Sequence, residues 1–328
     1  RAAGTRDPCT AVPWDVPGAP RRRSRGRGPR YGADVRIVVT GSGGRIGRAI
    51  VSRLAGEHDV VGIDRSPSAA VDRVADILDR DALAAACEGA DAVVHVAALH
   101  APHVGAVADA ELERVNVEGT ERVIEVASAA GARRIVFTST TALYGAGARP
   151  GASAAWLDEE SEPRPLTIYH RTKLAAEARL REASGERLQI RVVRMSRCFP
   201  EPADLMAIYR LHRGIDARDV ADAHAAALLH EGAPYRAWIV SGATPFRPSD
   251  GEALARDAPA VLRERAPDLV AAFAERGWAL PRSIDRVYDP ARAVRELGWR
   301  PRHGFGEVLA MMDDGDAEVL PRGAPLGG

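Results

Sequence analysis

From residue 34 onward, short solid apolar runs alternate with stretches whose apolar positions recur every three or four residues. "DVRIVVTG" reads as a buried strand, "GRIGRAIVSRLAGE" follows with helical spacing, and "DVVGID" is a second strand. The same reading gives a strand at "DAVVHVAA", a long helix over roughly 107–130, a strand at "RRIVFTST", a helix from about 168 to 184 and a strand at "LQIRVVRM". Strands spaced by helices predict βαβ units, and hence an α/β fold whose doubly wound parallel sheet is covered on both faces. After residue 196 the pattern loosens. "RDVADAHAAALLH" reads as a helix and "AWIVSG" as a strand, and Pro-containing helical pieces run on to about 312. The expected division is a main domain over 34–195, completed by 218–242, and a small C-terminal lobe over 196–217 and 243–312. The last stretch, 313–328, is expected as a flexible tail.

Composition changes this picture at the front of the chain. Residues 1–33 hold eight arginines against two aspartates and are rich in Pro and Gly, so they read as a disordered extension. A basic arm for nucleic acid is the lesser reading, and no nucleic-acid partner is expected. No run of 18 apolar residues occurs, so no membrane span is expected, and nothing reads as a secretory signal. Cys9, Cys87 and Cys198 are odd in number and widely spaced, which suits reduced thiols in a cytoplasm better than disulfides or a zinc site. Among 45 basic residues Lys173 is the only lysine, and Asn116 is the only asparagine. A composition rich in Ala, Gly, Arg and Pro reflects GC-biased coding. Under that bias a lysine survives mainly where arginine cannot replace it.

"VVTGSGGRIGRAI" places Gly41, Gly44 and Gly47 at a strand-to-helix junction, with Arg45 and Ile46 in the same turn. Such a turn lets the backbone approach a pyrophosphate, whose charge then sits at the helix N-terminus. Asp64 ends the second strand 17 residues after Gly47, where a carboxylate accepts hydrogen bonds from an adenosine ribose. That points to NAD; a carboxylate there repels the extra phosphate of NADP. Arg65 is either a solvated arginine or a phosphate contact. Asp76 either reaches the adenine or caps a helix. Ile77 beside it and Ala97 after the "HVAA" strand complete the candidate cofactor contacts.

Tyr169 and Lys173 lie four apart on a predicted helix and project from one face. A phenol with its pKa of about 10 is a poor base at neutral pH, and a nearby ammonium favours the phenolate. Lysine offers a compact three-donor head where arginine's planar fork would not fit. Thr138, Ser139, Thr140 and Thr141 end the preceding strand at its carboxyl edge, where ligands of open α/β sheets bind. A hydroxyl there can orient a substrate oxygen, although each alone fits ordinary strand-end polarity.

The ordered set "TGSGGRIG", "GID", "ADILD", "HVAALH", "NVEGT", "VFTSTTALYG", "YHRTK", "RDVADAH" and "LGWRP" covers about 34–312. It resembles the extended short-chain dehydrogenase/reductases, the NAD-dependent epimerase/dehydratases. The resemblance implies a Rossmann fold with a small substrate-binding lobe. It implies Thr140 as the catalytic hydroxyl, Tyr169 as acid/base, Lys173 as its partner and Asn116 as a supporting hydrogen-bonding residue. It also implies a homodimer paired through the helices at about 107–130 and 168–184.

The chain departs from the nucleotide-sugar epimerases in having only 23 residues between Arg194 and Arg218. That segment is similar to the shorter one of uronate dehydrogenases, which implies a free sugar or sugar acid and offers Arg210 as a carboxylate clamp. His100 and His103 lie where members of the family contact substrate, whereas His95 is strand-borne and expected in the core. The expected function is NAD-dependent oxidation of a sugar-type hydroxyl. The alternatives are an epimerase or dehydratase that retains NAD, and a non-catalytic NAD-binding regulator.

Overall fold

The runs of Val and Ile form strands because both faces of the sheet they build are covered, and the helical stretches between them are the covers. The computed structural model describes residues 35–147 and 153–324; the Arg-rich stretch 1–33, with Cys9, lies outside the described residues. In chain order the elements are β1 (Arg36–Thr40), α1 (Arg45–Leu54), β2 (Asp59–Asp64), β3 (Arg73–Val74), α2 (Arg80–Cys87), β4 (Ala92–His95), α3 (Asp109–Glu113) and α4 (Gly119–Ala129). Next come β5 (Arg134–Thr140), β6 (Ala155–Leu157), α5 (Ile168–Ala183), β7 (Gln189–Met195), β8 (Glu201–Pro202), α6 (Ala203–Tyr209), α7 (Ala217–Leu229) and β9 (Tyr235–Val240). The chain continues through α8 (Gly251–Arg256), α9 (Ala258–Arg265), α10 (Pro267–Glu275), β10 (Arg286–Tyr288), α11 (Ala291–Leu297), α12 (Phe305–Asp313) and β11 (Val319–Leu320).

Seven strands pair in parallel in the order β3-β2-β1-β4-β5-β7-β9. The chain works outward from β1 to β3, then crosses back to place β4 on the other side of β1. At such a reversal the loops after the two central strands part, and ligands of open α/β sheets bind there. Alternation along the strands feeds two layers. Ile37, Val39, Val94 and Val193 pack with Ile50 of α1 and Val220 of α7. Val38, Val93, Ile135 and Phe137 pack with Leu83 of α2, Val123 of α4 and Leu180 of α5. A third cluster, including Met206, Leu254, Leu262, Phe273, Val287 and Val308, gives the second lobe its own core.

One expectation is corrected. The helix over roughly 107–130 is interrupted: α3 and α4 are joined by a π-helical turn at Arg114–Glu118, with Asn116 inside it. Apolar periodicity does not resolve one widened turn, and such turns gather at functional sites. Within the expected tail, the described residues up to 324 make contacts with the second lobe. β11 pairs with β8, Val319 is 6% exposed within the third cluster, and Arg322 pairs with Asp204 at 3.3 Å. A two-residue strand carries too little pattern to be read from sequence.

Candidate active site at the carboxyl edge of the sheet

At the first turn the backbone itself makes the cradle. Gly41 adopts φ +71°, and a Cβ there would lie 2.5 Å from the Ala97 nitrogen. A Cβ on Gly47 would fall 2.0 Å from the Gly41 carbonyl oxygen, so only glycine lets α1 start this close to β1. Gly44 is different: it precedes the first turn of α1, and an added Cβ would make only an ordinary contact. The Asp64 carboxylate accepts the Gly43 N–H at 3.1 Å through Oδ2 and the Ser66 N–H at 3.1 Å through Oδ1. It is thereby fixed at the tip of β2 beside the glycine turn. The cramped turn, the open helix N-terminus and this carboxylate together fit a dinucleotide.

The other candidate cofactor residues divide. Arg65 is exposed at the end of β2. Ala97 donates its N–H to the Thr40 carbonyl at 3.2 Å and abuts Gly41, so it lies at the cradle. Asp76 takes the Leu78 N–H at 2.9 Å, but the residue that caps α2 is Asp79, which accepts the Ala82 N–H at 3.0 Å. Ile77 is buried in an apolar cluster with Leu99, Leu112, Val115 and Ile168, and Ile46 packs on the core beneath the sheet. The Arg45 guanidinium is ion-paired with Glu318 of the C-terminal segment.

At the other end, between β5 and α5, side chains make the site. Thr167 caps α5 by accepting the His170 N–H, and the helix then presents Tyr169 and Lys173 on successive turns. The Tyr169 phenol faces the Thr140 hydroxyl, and Thr140 Oγ1 accepts the Ala142 N–H at 3.0 Å. Lys173 is 3% exposed, donates from Nζ to the Thr138 carbonyl at 2.8 Å, and lies 4.3 Å from the Phe137 ring centroid. Burial pulls the lysine down to about 7, opposed by the Glu177 carboxylate. Burial pushes the Tyr169 phenol up to about 12, opposed only by the Thr140 hydroxyl. In this arrangement desolvation outweighs the ammonium's expected pull on the phenol.

Asn116 is 2% exposed and fully used. Its Oδ1 accepts the Leu99 N–H at 2.8 Å, and its Nδ2 donates to the Leu99 carbonyl at 2.8 Å and to Thr172 Oγ1 at 3.0 Å. Thr172 immediately precedes Lys173, so the π-helical turn braces α5 beside the lysine. His95 is buried between Thr40 Oγ1 at 2.7 Å and Thr120 Oγ1 at 3.1 Å; burial, aided by Lys173, holds it neutral with a pKa of about 3.

Four candidate substrate residues have partners within the protein. Ser139 turns inward and donates to Glu177 Oε1 at 2.6 Å, because alternation along β5 sends it away from Thr140. Arg210 is 2% exposed, and its Nη2 donates to Asp216 Oδ2 at 3.0 Å. Its Nε and Nη1 are buried without a hydrogen-bond partner. His100 and His103 pin one another through a short 3-10 turn: the His100 N–H donates to His103 Nδ1 at 3.1 Å, and the His100 ring stacks on Phe199 with centroids 5.9 Å apart. Sequence reasoning passed over Glu177 and Arg194. The helical spacing of Tyr169, Lys173 and Glu177 was the available signal, since each follows the last by four. Among the described residues no group of three or more His, Cys, Asp or Glu could hold a metal ion, and no helix is long and apolar enough to cross a membrane.

Residues 37–204, half of the chain, match the model of the NAD dependent epimerase/dehydratase family. An L-arabinose 1-dehydrogenase (NAD(P)(+)) of Haloferax volcanii is 40% identical over 152 residues, which are 44% of this chain and 59% of that protein. An NAD-dependent glucose-6-phosphate dehydrogenase of the same organism is 30% identical over 162 residues, covering 44% of this chain and 61% of its own length. The chain thus spans about three fifths of either relative. Among solved structures, a short-chain dehydrogenase/reductase superfamily protein from Agrobacterium tumefaciens with bound NAD superposes with a TM-score of 0.62 at 24% identity, over 84% of this chain and 95% of that one. That likeness speaks to the fold. With its glycine turn, ribose-side carboxylate and Tyr–Lys helix all inside or beside the matched region, this chain belongs to the NAD dependent epimerase/dehydratase family.

Proposed function

We propose that the protein is an NAD-dependent sugar dehydrogenase that oxidises a hydroxyl-bearing carbon of a free, neutral aldose. The observation that carries this reading is the placing of Tyr169 and Lys173 on successive turns of α5 against the end of β5, with Lys173 Nζ donating to the Thr138 carbonyl at 2.8 Å. Gly41, Gly44, Gly47, Ala97 and Asp64 would hold the dinucleotide, which when bound accepts the hydride leaving the sugar carbon. Tyr169 takes the proton of the same hydroxyl, so one C–H and one O–H bond break as a C=O bond forms. Thr140 holds the substrate oxygen in line with the phenol. Lys173, tied to the end of β5, supplies when protonated the positive charge that favours the phenolate. Oxidation at an anomeric carbon would give a lactone.

A neutral aldose is favoured over a uronate because Arg210, the expected carboxylate clamp, is 2% exposed and already pairs with Asp216 through Nη2. The similarity to an L-arabinose 1-dehydrogenase supports the same choice. The short run between Arg194 and Arg218 leaves little chain to grip a nucleotide diphosphate. α4 and α5 pack side by side on one face of the sheet, which suits pairing with a second copy through those helices. The test is absorbance at the NADH band with NAD and a panel of neutral aldoses, uronic acids, sugar phosphates and nucleotide sugars. A rise with a neutral aldose is expected. Epimerisation of a nucleotide sugar, with no rise for any free sugar, would overturn the reading.

A further inference from the structure

Behind the Tyr–Lys helix lies a buried polar network that the reaction as described does not use. Glu177, 3% exposed and one turn beyond Lys173, accepts from Ser139 Oγ at 2.6 Å. Arg194 of β7 forks onto the same carboxylate, with Nε 3.0 Å from Oε1 and Nη2 2.6 Å from Oε2. The third arm of that guanidinium, Nη1, donates to the Tyr144 hydroxyl at 2.7 Å. From β9, the Tyr235 hydroxyl reaches Glu177 Oε2 at 3.5 Å.

Stability alone is a poor reason for such an arrangement. Replacing a buried ion pair by apolar side chains of similar volume is often neutral or stabilising, since desolvation consumes most of the Coulombic gain. Its placement suggests another reason. Ser139 sits between Thr138, whose carbonyl receives Lys173 Nζ, and Thr140, whose hydroxyl meets Tyr169. The three contacts are successive rungs between the same strand and the same helix. On the strand the Glu177 contact falls between the other two, and Arg194 fixes it to the next strand, β7. A slip of α5 along β5 would break all three together, and a misplacement of about 1 Å at reacting groups can cost on the order of 100-fold in rate.

We propose that Glu177, held by Arg194, is a positioning residue of the active site, locking the Thr138–Thr140 end of β5 to α5 so that Tyr169 and Lys173 meet their partners. The role rests on the assignment of Tyr169 and Lys173 made under the proposed function. Glu177 is also the carboxylate that faces Lys173 from its own helix. The other groups around that lysine are the Thr138 carbonyl and Phe137 ring of β5 and neutral His95 of β4. Around Glu177 stand the Arg194 cation, Ser139, Tyr144 and Tyr235.

The unique lysine makes the test direct. Full-length protein labelled with 13C-lysine carries a single lysine side-chain signal, so the titration midpoint of Lys173 is readable without substrate or cofactor. It is measured in the wild type, in Glu177→Gln, and in a double variant with Glu177→Leu and Arg194→Leu, which keeps the fold testable if the single change leaves Arg194 uncompensated. The expected result is a lower midpoint in both variants, with kcat reduced about tenfold or more and KM for NAD nearly unchanged. A merely structural role predicts that the apolar pair restores kcat, and that result overturns the proposal. So does a folded Glu177→Gln protein with wild-type midpoint and kcat. If the wild type oxidises no sugar, the dehydrogenase reading fails separately; a midpoint that still moves supports the placement of Glu177, and one that stays overturns it.

Discussion

The turn after β1 and the junction of β5 with α5 face the same crevice, yet they are made of different material. At the turn the backbone bends at φ +71° on Gly41, and α1 starts so close to β1 that a methyl group on Gly47 would lie 2.0 Å from a carbonyl oxygen. The Asp64 carboxylate beside it is held by two backbone N–H groups at the tip of β2. At the β5–α5 junction the backbone is ordinary strand and helix, and buried side chains carry the chemistry. Tyr169 is pushed up to about 12 and Lys173 pulled down to about 7. On the proposed reading, the first end would recognise by shape and the second would react by shifted proton affinities. Damage to one should therefore leave the other standing.

The sharpest way to separate them is Tyr169→Phe. Removing the phenolic oxygen deletes the proton acceptor, and loss of a positioned acid/base typically costs 10²–10⁴-fold, so turnover should fall by about that range. The ring stays, and the glycine turn is untouched. NAD binding, followed by quenching of tryptophan fluorescence, should therefore hold. Turnover that survives the change would remove Tyr169 from the reaction.

The converse experiment is Gly47→Ala. The added methyl must push α1 away from the Gly41 carbonyl, and forced overpacking typically costs about 1–3 kcal/mol of stability. NAD binding should be lost or greatly weakened. In protein that remains folded, the Lys173 signal should titrate as in the wild type, because the contacts of that lysine lie on β5 and α5. A shifted lysine titration would mean that the two ends are mechanically coupled.

The same division explains what could be read from the sequence. The glycine turn was legible because the constraint falls on residue type: little else fits at Gly41 and Gly47. Lys173 and Asn116 were legible for a similar reason, each being the only residue of its kind. The central strands declared themselves as solid apolar runs buried on both faces. The partners of Ser139 and Arg210 could not be read, because sequence gives a residue's address and not the partner it turns to. Ser139 lies beside Thr140 but on the opposite side of β5, and Arg210 finds Asp216 six residues on, across the turn into α7. Glu177 was missed because its worth lies in Arg194, on another strand.

The smallest expected effect concerns stability rather than rate, and it comes from Lys173→Met. The lysine is buried with a pKa of about 7 against an ordinary value of 10.5. Between those two values the unfolded chain binds a proton at this position that the folded chain has released. Where the unfolded state binds more protons, stability rises with pH. The contribution of Lys173 is therefore fully present above pH 10.5 and lost as pH falls towards 7. Methionine fills a similar volume, titrates nowhere and carries no desolvation penalty. The variant should thus melt higher than the wild type near neutral pH, with the gap closing by a few degrees as the solution is made alkaline, while turnover stays low throughout. Because the remaining titrating groups are common to both proteins, the difference between the two melting curves isolates this one group. A gap that is constant from pH 7 to 10 would mean that Lys173 stays protonated in the folded protein, and that the contacts at Thr138 and Glu177 outweigh its burial.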